Sequence, residues 1–376
     1  MINAKLNNCC GCGACAYVCP VGAIKLNEDA EGFLYPEIDS GVCISCNKCD
    51  SVCPFSNERL NGKKPLSVFG FKHSSDDIRL ESSSGGFFTA LSDEILNSGG
   101  AVYGSVYNEN FDVVHNRAVC KAERDKMRGS KYVQSDISNI FPLIKKDLDD
   151  GRNVLFVGTP CQVSGVKRAF SGCSDLITCD VICHGVPSPE LWRAFRRHFE
   201  KKQACKFKEI YIRDTHNTAE GHITRAVTED GKEYKTKDYV NLFFTNNPLR
   251  PSCYHCPFTT LNRDSDFTMG DFWGIEKNHS SMKDEKGVSF CFANTGAATE
   301  ILKKINDEGV FFEASSDDSL QPQLYHPCKK PLVRKAFWKD YYKKDIDFLI
   351  EKYVVKKYGI RLKLFISKIL NIILHR

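Results

Sequence analysis

The sequence predicts an α/β or α+β chain in which a mixed-sheet domain follows a small cysteine-rich module. Three observations predict it. Residues 1–56 carry a repeated cysteine spacing, short turns and little apolar periodicity. From Leu66 onward, short runs rich in Val, Ile, Leu and Phe alternate with helix-length amphipathic segments. The chain has 376 residues with 42% hydrophobic and 26% charged content, enough for a sizeable core plus one extra module.

The elements follow in order. Residues 57–65 read as a linker, Ser67–Phe71 as a strand, and Gly86–Asn97 as a helix after the Ser82–Gly86 turn. Ala101–Tyr107 is an expected strand, Ile137–Leu148 a helix, and Val154–Val157 a buried strand. Helices at Gln162–Phe170 and Pro189–Lys201 flank a strand at Leu176–Ile182. Residues 207–235 read as a hairpin turning at Asp230-Gly231. A cysteine-containing loop and the Gly270–Gly274 segment come next, then a strand at Val288–Ala293 and a helix from Thr295. The expected domains are residues 1–56, 66–328 and a basic tail at 329–376.

Composition excludes global disorder. The 19 cysteines are the unusual feature, in a chain too long for a secreted disulfide scaffold. Met1–Lys5 run directly into a cysteine motif, leaving no room for the apolar stretch of a signal peptide. Thiols kept reduced for metal point to the cytoplasm. The formal charge of +5 is unevenly spread: residues 1–56 hold three lysines against six acids, and residues 329–376 hold fourteen Lys and Arg against four acids. The basic character is a C-terminal feature, so no nucleic-acid partner is expected.

Cys9, Cys12, Cys15 and Cys19 stand at C-x2-C-x2-C-x3-C before Pro20, and Cys43, Cys46, Cys49 and Cys53 repeat the spacing before Pro54. This is the ligand run of two 4Fe-4S clusters, in which the fourth cysteine of each run serves the other cluster. The expected sets are Cys9, Cys12, Cys15 with Cys53, and Cys43, Cys46, Cys49 with Cys19. A zinc site built from C-x2-C pairs accounts for four ligands, not for a triple run ending in C-P that occurs twice. Cys10 fits neither set.

Four later segments carry candidate chemistry. Ser82–Gly86 opens a helix, as an ordinary cap or as an anion site for a cofactor phosphate. Arg128–Ser135 offers a lysine and hydroxyls to a phosphate or ring edge, or is a plain polar loop. Thr159-Pro160-Cys161-Gln162 sets a cysteine at a helix N-terminus, where the dipole favours thiolate, and Cys183 follows the next strand. Cys253 and Cys256 precede Asp266–Ile275. Cys161, Cys183, Cys253 and Cys256 make a complete ligand set if their loops converge. Cys120, Cys173, Cys179, Cys205, Cys291 and Cys328 have no such context. No GxGxxG fingerprint supports a nicotinamide partner.

Taken in order, SSSGG, GGAVYG, GSKYVQS, VLFVGTPCQVSG, DVICHGVPSP, C-x2-C and GDFWG resemble the family of coenzyme F(420) hydrogenase and dehydrogenase beta subunits, across most of residues 1–295. Members are iron–sulfur flavoproteins that bind FAD. Relatives include deazaflavin-oxidising subunits of archaeal complexes and the plant 7-hydroxymethyl chlorophyll a reductase. The resemblance implies a mixed-sheet flavin-binding domain behind a ferredoxin-like module. It implies FAD contacts at Ser83, Ser84, Gly85, Gly86, Gly129, Ser130, Lys131 and Tyr132, and a third 4Fe-4S cluster on Cys161, Cys183, Cys253 and Cys256. The expected function is an FAD- and iron–sulfur-dependent oxidoreductase with a redox partner protein or ferredoxin and a small-molecule or deazaflavin-like coenzyme substrate. The alternative is a non-catalytic electron-relay subunit of a larger complex, and a zinc-stabilised binding protein is a third reading. Residues 360–376 form an expected amphipathic helix, too short and interrupted to span a bilayer, read as docking on protein or as a peripheral membrane contact.

Overall fold

A computed structural model describes residues 8–55, 62, 64–214 and 222–355. Thirteen strands occur among them: β1 (Ile24–Glu28), β2 (Leu34–Ile38), β3 (Ser67–His73), β4 (Ala101–Tyr107), β5 (Val113–Ala118), β6 (Val154–Gly158), β7 (Leu176–Val181), β8 (Phe207–Tyr211), β9 (Thr224–Thr228), β10 (Glu233–Thr236), β11 (Phe267–Asp271), β12 (Ser289–Ala293) and β13 (Gly309–Glu313). β1 and β2 pair antiparallel inside the cysteine module. The large domain is built on an eight-stranded mixed sheet in the order β13-β3-β12-β11-β7-β6-β4-β5. Its centre, β11, β7, β6 and β4, is parallel, and both flanks are antiparallel.

The alternation of side chains explains why the central strands read as unbroken apolar runs: both sheet faces are covered. Val102, Leu155, Ile177 and Cys179 pack with Phe87, Leu91 and Ile95 of the helix Phe87–Asn97 and with Ala298 and Ile301 of the helix Gly296–Lys304. The intervening residues Ala101, Tyr103, Val154 and Phe156 face Phe141 and Ile144 of the helix Phe141–Asp149 and Val163 and Val166 of the helix Pro160–Ala169. Cys10, Cys12, Ala14 and Val52 of the module join this second layer. The module is thus part of a core, not a bead on a string.

Several expectations are corrected. The helix expected over Ile137–Leu148 is a 3-10 turn at Ser138–Ile140 and an α-helix at Phe141–Asp149. Pro142 explains the break, since proline is tolerated in a first turn and not further in. The expected hairpin at 207–235 is a three-stranded antiparallel sheet, β10-β9-β8, of which only the β9–β10 turn holds Asp230-Gly231. The tail expected from residue 329 is folded as far as residue 355. Helices at Arg334–Tyr341 and Ile346–Ile350, with the wide turn Glu351–Val355 that follows, bury Phe337, Trp338, Leu349 and Tyr353 against Trp192, Phe195 and Tyr239. The charge count of 329–376 had masked these apolar anchors. The amphipathic segment 360–376 lies outside the described residues, as does most of the linker at 57–65. No helix of the described residues is long and apolar enough to cross a membrane.

Candidate functional site: a chain of cysteine groups leading to a cleft

The first cysteine run leaves its loop through Gly11 and Gly13, both with positive φ, and enters the short helix Ala14–Tyr17. Cys53 lies within electrostatic reach of Cys9, Cys12 and Cys15. Cys19 lines a small cavity with Cys43, Cys46 and Cys49, walled by Val21, Ile24, Ile38 and Ile44. The fold therefore places the last cysteine of each run beside the first three of the other. Backbone N–H groups point at the sulfurs, Gly11 N to Cys9 Sγ and Ala23 N to Cys19 Sγ, each at 3.3 Å. Such donors stabilise negative sulfur, which suits a thiolate-bound cluster. Among the described residues no three metal-binding side chains gather tightly enough to share one ion. A cubane asks for less, since its four irons take one thiolate each.

The four cysteines of the large domain come from three loops. Cys161 sits in the first turn of a helix whose start is fixed by a Thr159–Gln162 capping box. Cys183 follows β7, and the 3-10 turn Pro251–His255 carries Cys253 and leads into Cys256. The thiols interact with one another: Cys183 with Cys253, Cys161 and Cys256, and Cys256 with Cys161. Val186 N donates to Cys253 Sγ at 3.4 Å. Burial pushes the Cys183 and Cys253 thiols up and the Cys256 thiol to about 12. The Cys161 thiol is lowered to about 7, chiefly by a hydrogen bond with Cys10, against desolvation and with help from Thr159 and Arg250. Cys10, which fits neither ligand set, is thus a buried link between the first run and the second group: its side chain meets both Cys12 and Cys161.

Beside this group opens a cleft of about 300 Å³ at the C-terminal ends of the parallel strands. In open α/β sheets this end collects functional loops. Ser83, Ser84, Gly86, Gly129, Ser130, Lys131 and Tyr132 all line it, and so does Cys183. Ser83 Oγ accepts the Ser130 N–H at 2.6 Å, tying the two loops together. Lys131 donates to the carbonyls of Met127, Arg128 and Gly129 at 3.3, 3.0 and 3.2 Å. Desolvation lowers its pKa to about 7, so the ammonium gains from any anion entering the cleft. Tyr132 stacks on Phe243 at 5.0 Å and interacts with Arg213, which pairs with Asp271 at 2.8 Å.

Gly85 does not line the cleft, which corrects its expected role as a flavin contact. A side chain there would meet Phe71 O at 2.1 Å and Ser289 N at 2.5 Å, so the glycine serves the close approach of this turn to β3 and β12. Sequence reasoning also missed cleft residues. Arg213 and His222 have no motif around them. His184, held by Asn246 at 2.8 Å and Gln323 at 3.2 Å, has beside it Cys328, whose Sγ donates to His184 O at 2.8 Å. A buried cysteine close after the recognisable motifs was the only available signal.

Residues 8–57 match the family described as 4Fe-4S dicluster domain, and residues 151–319 match the family described as the C terminus of the coenzyme F420 hydrogenase/dehydrogenase beta subunit. The F subunit of F(420)H(2) dehydrogenase from Methanosarcina mazei is 28% identical over 173 residues, covering 42% of this chain and 47% of that protein. The chain therefore spans about half the length of that curated relative. A chain of the xenon-derivatised F420-reducing NiFe hydrogenase complex from Methanosarcina barkeri aligns with a TM-score of 0.47 at 19% identity, over 81% of this chain and 94% of that one. Residues 8–57 thus carry a 4Fe-4S dicluster domain, and residues 151–319 are similar to the C-terminal part of coenzyme F420 hydrogenase/dehydrogenase beta subunits.

Proposed function

We propose that the chain is an iron–sulfur flavoprotein oxidoreductase, with FAD in the cleft and a third 4Fe-4S cluster on Cys161, Cys183, Cys253 and Cys256. One observation carries the reading: Cys183 belongs both to the four-cysteine group and to the cleft wall. The cysteine groups thus form a series from the module to the place where a substrate enters. Ser83, Ser84, Ser130 and Lys131 would hold the anionic part of the cofactor, and Tyr132 with Phe243 and Phe244 would give its ring an aromatic wall. When bound, FAD supplies the coupling between one-electron carriers and hydride chemistry. The chain's own residues bind, orient and exclude water. Lys131 supplies positive charge at Nζ. The Arg213–Asp271 pair fixes Tyr132, and Phe243 and Phe244 pack edge-on to His184 at 5.2 and 5.5 Å.

The substrate class is a small molecule or a deazaflavin-like coenzyme, and the electron donor or acceptor is a redox partner protein or ferredoxin meeting the module. The second reading is a non-catalytic relay subunit, favoured by the likeness to one subunit of a dehydrogenase. Anaerobic purification with metal analysis and cofactor extraction tests both. Three cubanes require about twelve iron atoms per chain, with extractable FAD and turnover by the isolated chain. About eight irons would remove the third cluster. Clusters without flavin, in stable association with a catalytic subunit, would favour the relay.

A further inference from the structure

Arg250 is a fully buried charge that the proposed function leaves without a task. Its side chain is 0% exposed. Among the described residues its hydrogen bonds run to neutral oxygens, Cys9 O and Leu34 O at 2.7 Å each and Gln134 Oε1 at 2.9 Å, and toward the Cys9 sulfur. Gln134 in turn donates to Cys10 O at 2.7 Å. The guanidinium lies against the rings of Phe33 and Tyr35, 5.2 and 4.3 Å from their centroids. Gly11, at φ +70°, makes room for it: a side chain there would meet Arg250 Nη1 at 2.8 Å. The module is shaped around this one side chain of the large domain.

An ionised group buried among neutral acceptors is costly unless a counter-charge stands nearby. The Glu31 carboxylate lies within electrostatic reach but is paired to Arg334, and four cysteines supply the rest. Arg250 acts electrostatically on Cys9 and Cys12 of the first run and on Cys161 and Cys253 of the large domain. It therefore stands between two ligand sets, each of which would carry net negative charge that grows by one on reduction. We propose that Arg250 is the shared counter-charge of these two sites and raises the reduction potential of both. Its second half rests on the proposed core cluster. Placed between two mutually repelling anions, the cation lets an electron reside on either one at lower cost, and its fork fixes the module against the body in that register. The set of Cys19, Cys43, Cys46 and Cys49 lies outward, with Cys46 exposed, where water screens charge; it is the internal control.

The test is potentiometric titration of the intact chain followed by electron paramagnetic resonance, on wild type, Arg250→Gln, Arg250→Lys and Gln134→Leu. Arg250→Gln should shift the reduction equilibrium of the inner module cluster and the core cluster at least about tenfold toward oxidised, 59 mV for one electron. The outer cluster should move less than about twofold on the screening argument. Arg250→Lys keeps the charge, and Gln134→Leu loosens the clamp without touching it; both should stay within about threefold of wild type. Unmoved potentials in Arg250→Gln, or an equal shift of the outer cluster, overturns the proposal. If Arg250→Gln cannot be isolated with its iron, the other two decide, and a tenfold shift in Gln134→Leu shows that geometry, not charge, sets the potentials. Only two cluster signals in wild type would remove the core cluster, while the inner module cluster would still judge Arg250.

Discussion

Replacing Lys131 by Met tests the cleft through its pH dependence. In the free protein the ammonium titrates near 7, against an ordinary value of 10.5, because desolvation disfavours the charged form. An anion in the cleft reverses this, so the bound state holds the proton to higher pH. Below pH 7 the free protein is already charged and binding is at full strength. Above pH 7 each binding event must take up a proton, and affinity falls up to about tenfold per unit. Between pH 7 and 8.5 the dissociation constant for FAD should therefore rise about 16-fold, because half of the lysines are still protonated at pH 7. The phosphates stay ionised throughout, so the slope belongs to the protein. Lys131→Met should flatten the profile and weaken binding at pH 6.5 by about 10–100-fold, the range for a hydrogen bond to a charged group. Folding carries an opposite signature. The native lysine loses its proton near 7 and the unfolded one near 10.5, so stability of the free chain should rise with pH across that window, and less so in the variant. Equilibrium flavin fluorescence on the anaerobically prepared chain measures the first effect, and thermal unfolding the second. A flat wild-type profile with unchanged affinity in Lys131→Met would refute the assignment of this cleft to an anionic cofactor.

Cys256→Ala should lower iron by about four atoms per chain and slow flavin reduction by the module clusters in stopped flow, while a small dye still reduces the flavin directly. Joint loss of flavin and dye activity would point instead to a structural clip. Gly85→Val should destabilise the fold by about 3 kcal/mol or more, since the new side chain meets backbone on β3 and β12. Thermal unfolding reads this, and a normal melting temperature with selective flavin loss would return Gly85 to the cofactor site.

Local patterns made the cysteine runs and the central strands legible. Cys9 to Cys53 declare themselves by spacing, and Val154–Val157 by an apolar run that two covered faces demand. β5, β11 and β13 stayed hidden for local reasons. His115, Asn116 and Arg117 interrupt β5, and β11 ends in a Gly-Asp pair that reads as a loop motif. The misreadings share a second cause, which is distance along the chain. Gly85 answers to Phe71 and Ser289, Cys10 to Cys161, and Arg250 to Cys9 and Leu34. The tail misled because net charge averages over Phe337, Trp338 and Leu349, which two short helices bury in the same core.

The contacts that seat the module also set a timetable for its manufacture. Glu28 pairs with Arg193 at 2.6 Å, Arg250 reaches Cys9, and Arg334 holds Glu31 at 2.8 Å across 303 positions of sequence. A ribosome adding roughly 5–20 residues per second needs about 15–60 s to travel from Glu31 to Arg334. Throughout that interval the nascent module lacks the Arg334 contact, and for most of it the Arg250 contact, while Val163 and Val166, which share a core with Cys10 and Cys12, are made before its midpoint. Iron and sulfide delivered early meet open loops; delivered late, they meet loops closed over by the arginine that synthesis has brought home. The order of translation thus separates the making of the ligands from the making of the arginines that hold the module in place.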